Sequence, residues 1–248
     1  MDYFRKLRSK FSGKVEPQHS PEHIEKARAL FANPEIPEEA RQRKYRSEAV
    51  LQAEGVRVNL FLPVIETEGE IKKRTKEEVA YRVMALLAVA FKGAGMEQPV
   101  VDELIADHSI KEHFTPEERA FIEDPSPTSQ TSDRFAWRFE AAWVLLWALG
   151  YEQELSKPIA IGDPGKAMGF LTERGAGQFV ADAQLRTPSE ILDQADLVYR
   201  YDWAAVDARL NGRREPSVNG EITMERHHAL NWLIRYNDAE WDDVTTDT

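Results

Sequence analysis

Two charged residues stand in the greasiest stretch of the chain. Asp133 to Leu149 reads DRFAWRFEAAWVLLWAL, with apolar residues on every face of a helix and Arg138 and Glu140 in its middle. A helix that is apolar all round is buried among others. Side chains two positions apart on a helix diverge by about 160°, so these two cannot pair with each other. An unpaired buried charge costs several kcal/mol, so Arg138 requires a carboxylate and Glu140 a cation from other helices. Two chemistries are open to them: a buried ion-pair network that fixes how helices dock, which the pattern favours, or a pocket that holds a charged ligand.

A second polar set follows Thr187. Ile191, Ala195, Val198, Val206 and Leu210 make an apolar stripe, with Asp193, Asp196, Arg200 and Asp207 between them. Asp196 and Arg200 stand at i,i+4 and are expected to pair on the helix surface for a few tenths of a kcal/mol. Two aspartates three apart could also bind a divalent cation or act as acid and base, but with a cation in reach an ion pair is the expected use. Glu225-Arg-His-His228 has the Glu-x-x-His spacing of di-iron carboxylate bundles. Those bundles need the motif on two helices, and the second copy, Glu16-Pro-Gln-His19, contains a proline, so no metal site is expected. His227 lies in line with Met224, Leu230 and Ile234 and reads as a hydrogen-bonded core histidine.

Other chemistry is excluded by what is missing. With no cysteine there is no disulfide framework, thiol nucleophile, iron–sulfur cluster or Cys-ligated zinc. No G-x-S-x-G, H-E-x-x-H, Walker A or G-x-G-x-x-G signature occurs. Gly162-Asp-Pro-Gly-Lys166 and Gly175-Ala-Gly177 lack the spacing of a phosphate cradle and read as turns. Trp143 and Trp147, one turn apart, are expected in the core rather than against a ring ligand. No catalytic residue and no cofactor is assigned.

These side chains must be positioned by helices. Thr75-Lys-Glu-Glu78, Thr115-Pro-Glu-Glu118 and Thr187-Pro-Ser-Glu190 each match a capping box, and Ser20-Pro21 offers a further helix start. Helix ends are expected near Gly93 and at Gly150. Pro125 to Ser132 and the glycine-rich Ile161 to Gly177 read as loops. Val56, Val58, Leu60 and Leu62 alternate with other residues, which fits one short edge strand or an extended segment across helices. The expected fold is mainly α: a single-domain, irregular helical bundle around a central buried helix at 133–149, with at most one short β segment near 56–62. Residues 1–40 are expected to form an N-terminal extension, a basic leader plus one helix, attached to a helical domain spanning 41–248.

The formal net charge is −11. Met1 to Lys14 carries five cations against Asp2, a local +4 that leaves −15 on the remainder. That balance excludes a sequence-independent nucleic-acid binder, which needs a concentrated basic face. Phe4, Leu7 and Phe11 recur among the leader's cations and allow weak contact with a membrane surface. The longest uncharged apolar runs, Val83–Phe91 and Ala141–Leu149, are about half of what a transmembrane helix requires, and no secretory signal pattern opens the chain. A cytoplasmic location is the expectation. The tail Asn237–Thr248 holds five acidic and no basic residues, and Trp241 within it is expected to dock on the body.

Several separated blocks resemble one family. They are Arg46-Ser47 before Gly55 to Pro63, Thr75 to Arg82, Arg138-Phe-Glu140 leading to Leu146-Trp-Ala-Leu-Gly150, Ile191 to Asp196 with Tyr199-Arg200 and Trp203, Glu225-Arg226 with Leu230-Asn-Trp232, and Trp241-Asp-Asp243. From about residue 40 onward the chain resembles the bacterial "domain of unknown function 4272" family. The resemblance implies a mainly helical, cytoplasmic bacterial protein with the Arg138 helix at its centre, and brings no activity or residue roles with it. Arg46, Arg82, Arg138, Glu140, Asp193, Asp196, Arg200, Glu225 and His228 are therefore the candidate binding residues, with a structural network the expected use. The functional expectation is a non-enzymatic interaction module, an adaptor or immunity-type protein whose acidic surface meets a basic protein partner. The alternative is an enzyme or small-ligand sensor with a pocket built on Arg138, Glu140, Asp193 and Asp196.

Overall fold

A computed structural model describes residues 18–248 except 214 and 216. The leader with Phe4, Leu7 and Phe11, and its possible membrane contact, lie outside the described residues. Ten α-helices and three single 3₁₀ turns account for the fold, and no strand occurs among the described residues. The helices are α1 (Pro21–Phe31), α2 (Glu38–Ala53), α3 (Lys76–Gly93), α4 (Gln98–Asp107), α5 (Pro116–Glu123), α6 (Ser129–Ala148), α7 (Pro164–Thr172), α8 (Gly175–Asp182), α9 (Pro188–Leu210) and α10 (Gly220–Leu233).

All three threonine capping boxes close as the sequence predicts, opening α3, α5 and α9 with reciprocal bonds between threonine and glutamate. Ser20 caps α1. At the centre, α6 packs along α3, and both are buried over most of their length. Helix α10 packs on α6 and on α9, while α9 also packs on α2. One large core gathers side chains from α3 to α10. A smaller one, with Leu51, Val56, Val58, Tyr201, Ala204 and Val218, lies between α2 and α9.

Two expected loops turn out to be partly helical. Thr128 accepts a bond from the Thr131 amide, so α6 starts at Ser129, inside the stretch read as a loop. In the glycine-rich segment, Asp163 caps α7 with Pro164 at its first position, and α8 begins at Gly175, whose φ is +67°. Gly162 is there for close approach: a Cβ on it would overlap the Trp143 indole.

The 56–62 segment is irregular, ending in a turn in which Leu62 N donates to Asn59 O, and it pairs with no strand among the described residues. The side-chain amide of Gln18 substitutes for one, donating to Val56 O at 2.7 Å and accepting from Val58 N at 2.9 Å. Helix α1 rests on α2, with the Lys44 ammonium 4.2 Å from the Phe31 ring and Arg41 bonded to the Phe31 carbonyl. Trp241 is buried, so the start of the acidic tail does dock.

Candidate functional site

The charges of the central helix find their partners on α10, at two consecutive residues. Arg138 Nη1 lies 3.2 Å from Glu225 Oε2, and Arg226 Nε donates to Glu140 Oε2 at 3.0 Å. The same guanidinium–carboxylate chemistry thus runs in opposite directions across one interface. Glu140's other oxygen accepts from the Gly162 amide at 2.6 Å, and Arg226 Nη1 donates to Ser156 O at 2.6 Å. One carboxylate and one guanidinium therefore tie α6, α10 and the segment before α7 together. Glu140 and Arg226 are fully shielded, and backbone groups at Gly162 and Ser156 add to the pair, although Arg226 Nη2 is buried without a hydrogen-bond partner among the described residues.

Next to it, Arg82 of α3 pairs with Glu118 of α5, and its guanidinium sits 5.1 Å from the Trp241 ring. Arg138 flanks the same ring at 6.0 Å. His228 Nε2 donates to Trp241 O at 3.1 Å, so its other nitrogen is unprotonated in the neutral ring. Burial, reinforced by the Arg138 charge, pushes the His228 imidazole down to about 3. Burial raises the Glu225 carboxyl above the usual carboxylate range, and the bond to Arg138 opposes that rise. Glu225 and His228 are thus each taken by protein partners rather than presented as a Glu-x-x-His metal pair. Among the described residues, no three histidine or carboxylate side chains gather as metal ligands.

The remaining candidates form a separate network between α2 and α9. Asp193 Oδ1 accepts from Arg46 at 2.7 Å and from Arg43 at 3.2 Å. Arg200 grips both oxygens of Asp196, at 2.9 and 2.7 Å, and donates to Pro63 O at 3.1 Å. This pair was expected on the helix surface, but Asp196 is 0% and Arg200 1% exposed, because the 56–66 segment and α2 cover that face of α9. Lys44 completes the clamp, donating to Leu60 O and Leu62 O. Burial, and then the Arg200 charge, lowers the Lys44 ammonium to about 8. The α2 and α9 cations thus hold an irregular segment by its carbonyls, the groups that a sheet would otherwise satisfy.

The family model described as "Domain of unknown function (DUF4272)" matches residues 43–244. The chain belongs to this family. The DUF4272 region runs from Arg43 in α2 to the residue after the Trp241 turn, and so contains all nine candidate residues and both networks. Helix α1 lies before it. No curated protein and no solved structure matches this chain.

None of the nine candidates lines any of three cavities among the described residues of this DUF4272 protein. The largest of these three, about 1090 Å³, lies between the second half of α9, the turn after it, the start of α10 and residues 246–248. Its wall includes Asp202, whose carboxylate is held by His227 Nδ1 at 2.9 Å and lies 3.3 Å from Thr223 Oγ1. With the carboxylate as acceptor, the His227 proton sits on Nδ1. The sequence reading placed His227 in the core but missed Asp202. The usable signal was that a core imidazole on α10 needs a polar partner on the helix facing it. The α9 stripe also ends earlier than expected: Val206 is half-buried and Leu210 is 75% exposed.

Proposed function

We propose that this DUF4272 protein is a non-catalytic interaction module of the bacterial cytoplasm, whose acidic surface receives a basic protein partner. The observation that carries this reading is that the nine candidate side chains are all bonded to other protein groups, in two separate networks that line none of the described cavities. An enzyme or sensor built on Arg138, Glu140, Asp193 and Asp196 needs those groups to converge on one open space. Here Arg138 and Glu140 serve the α6–α10 contact, and Asp193 and Asp196 serve α2–α9 and the 56–66 segment.

The charge balance supports the same reading. A net charge of −11 favours encounter with cationic partners. The test is affinity capture of the full chain from its native host, at low and at high salt. The expected result is a stoichiometric cationic protein that is retained at low salt and released as salt screens the contact. Recovery of no stable protein partner at low salt would contradict the proposal.

A further inference from the structure

The open cleft between α9 and α10 differs in make-up from the closed charge networks. Two of the exposed large apolar side chains, Ile159 at 57% and Met224 at 40%, line this one cleft. Val206 lines it beside them. Leu210, exposed as well, follows Val206 one helical turn later. A run of aliphatic side chains left in water beside a formed depression marks a place where another surface sits.

The charges around it fix the kind of surface. Among the described residues, Asp202, Glu215, Glu221 and Asp247 supply four carboxylates, against Arg209 and Arg213. Arg213 is held at 2.9 Å by Asp207, which also draws Arg57 at 3.4 Å. The depression therefore has an aliphatic lining and a net acidic rim, and its wall includes a carboxylate, Asp202, that is 2% exposed and fixed in place by His227. An anionic ligand would meet repulsion there. A segment with an aliphatic or aromatic anchor flanked by Lys or Arg would have both halves matched.

We infer that this cleft is the docking site for a basic, amphipathic polypeptide segment of a partner protein, with the apolar anchor against Ile159, Val206 and Met224 and the flanking cations on Glu221, Glu215 and Asp247. The inference rests on the proposed function and gives it a location. The anchor supplies the binding energy, and the acidic rim supplies orientation and on-rate.

The probe is a short labelled peptide with leucines at helical spacing among lysines, titrated into the full chain at low salt by fluorescence anisotropy. The cleft variant is Glu221→Lys with Met224→Lys, both at exposed positions. The control is Val100→Lys with Glu103→Lys on α4, an equal charge change at equally exposed positions three apart and outside the cleft. Ile159→Lys perturbs the same cleft from a different element and stands in if the double variant loses its circular-dichroism signal. The expected result is binding weakened about tenfold or more by the cleft variants and changed less than about twofold by the control. Equal loss in both variants would overturn the cleft assignment while leaving a diffuse acidic interaction surface intact. No binding to the wild type would overturn it too, and the capture experiment then judges the broader reading separately. Cleft-dependent binding that emerges only after deletion of residues 1–14 would make this chain's own basic leader the occupant, and would equally overturn a separate partner.

Discussion

Helix α10 borders two regions that treat charge in opposite ways. Against α6, its Glu225 and Arg226 are taken up by Arg138 and Glu140, the Glu140–Arg226 pair fully buried and bonded also to backbone groups. At its other contact, with α9, one hydrogen-bonded pair is sealed, Asp202 with His227, while Glu221 and Met224 are exposed at the cleft that Ile159 also lines. The difference lies in what surrounds the charge. Where a carboxylate and a guanidinium are mutually buried, their partners define the helix docking and nothing remains for a ligand. Where carboxylates ring exposed aliphatic side chains, the apolar surface is left in water, and such a surface is suited to a partner.

The contrast breaks most sharply under single substitutions. Glu140→Ala leaves Arg226 buried and unpaired, so urea unfolding should show a loss of roughly 3–5 kcal/mol, whereas Glu221→Ala at the cleft rim should stay within about 0.5 kcal/mol of the wild type. A comparable loss for both would erase the distinction between the two regions.

Overpacking beside the closed interface comes next in size. Gly162→Ala places a methyl against the Trp143 indole, just where the Gly162 amide bonds Glu140, and should cost about 1–3 kcal/mol in thermal or urea unfolding. A neutral outcome would show that the segment before α7 gives way easily and does not brace Glu140.

The acid limb of stability gives a third comparison. The folded His228 imidazole titrates at about 3, below its ordinary 6.5, so the unfolded chain takes up a proton first as pH falls. Its contribution is complete above about pH 6.5 and declines by about 1.4 kcal/mol per pH unit down to about 3. His228→Gln should flatten that slope in urea unfolding measured across this window, and an unchanged slope would mean that the imidazole is not held neutral by burial and Arg138.

The smallest effect concerns a local signal far from both regions. Thr187→Ala removes the cap of α9 and should cost about 1 kcal/mol in the same assay, with no change in peptide binding at the cleft.

That last residue also shows how much was legible in the sequence. Capping boxes are local chemistry, so Thr75, Thr115 and Thr187 announced α3, α5 and α9 directly, and the all-round apolar pattern announced α6. The demand that Arg138 and Glu140 find separate partners was equally legible, since it follows from the helical repeat alone. Glycine misled the reading at 161–177: Gly162 serves close packing against Trp143, while Asp163 and Pro164 were sufficient to start α7. Asp196 and Arg200 looked like a surface pair because i,i+4 spacing says nothing about which segment lies over it, and the 56–66 chain does. The Asp202–His227 bond and the cleft beside it depend on how α9 meets α10, a long-range fact that no local pattern encodes.

The most direct measurement replaces the sealed pair by an apolar one, Glu140→Leu with Arg226→Met, and follows both unfolding and capture of the cationic partner. If those charges only lock helices, the double variant folds, recovers most of the stability lost by Glu140→Ala, and retains the partner as the wild type does. A variant that folds equally well yet no longer holds the partner would place the buried pair in the binding function and contradict the account.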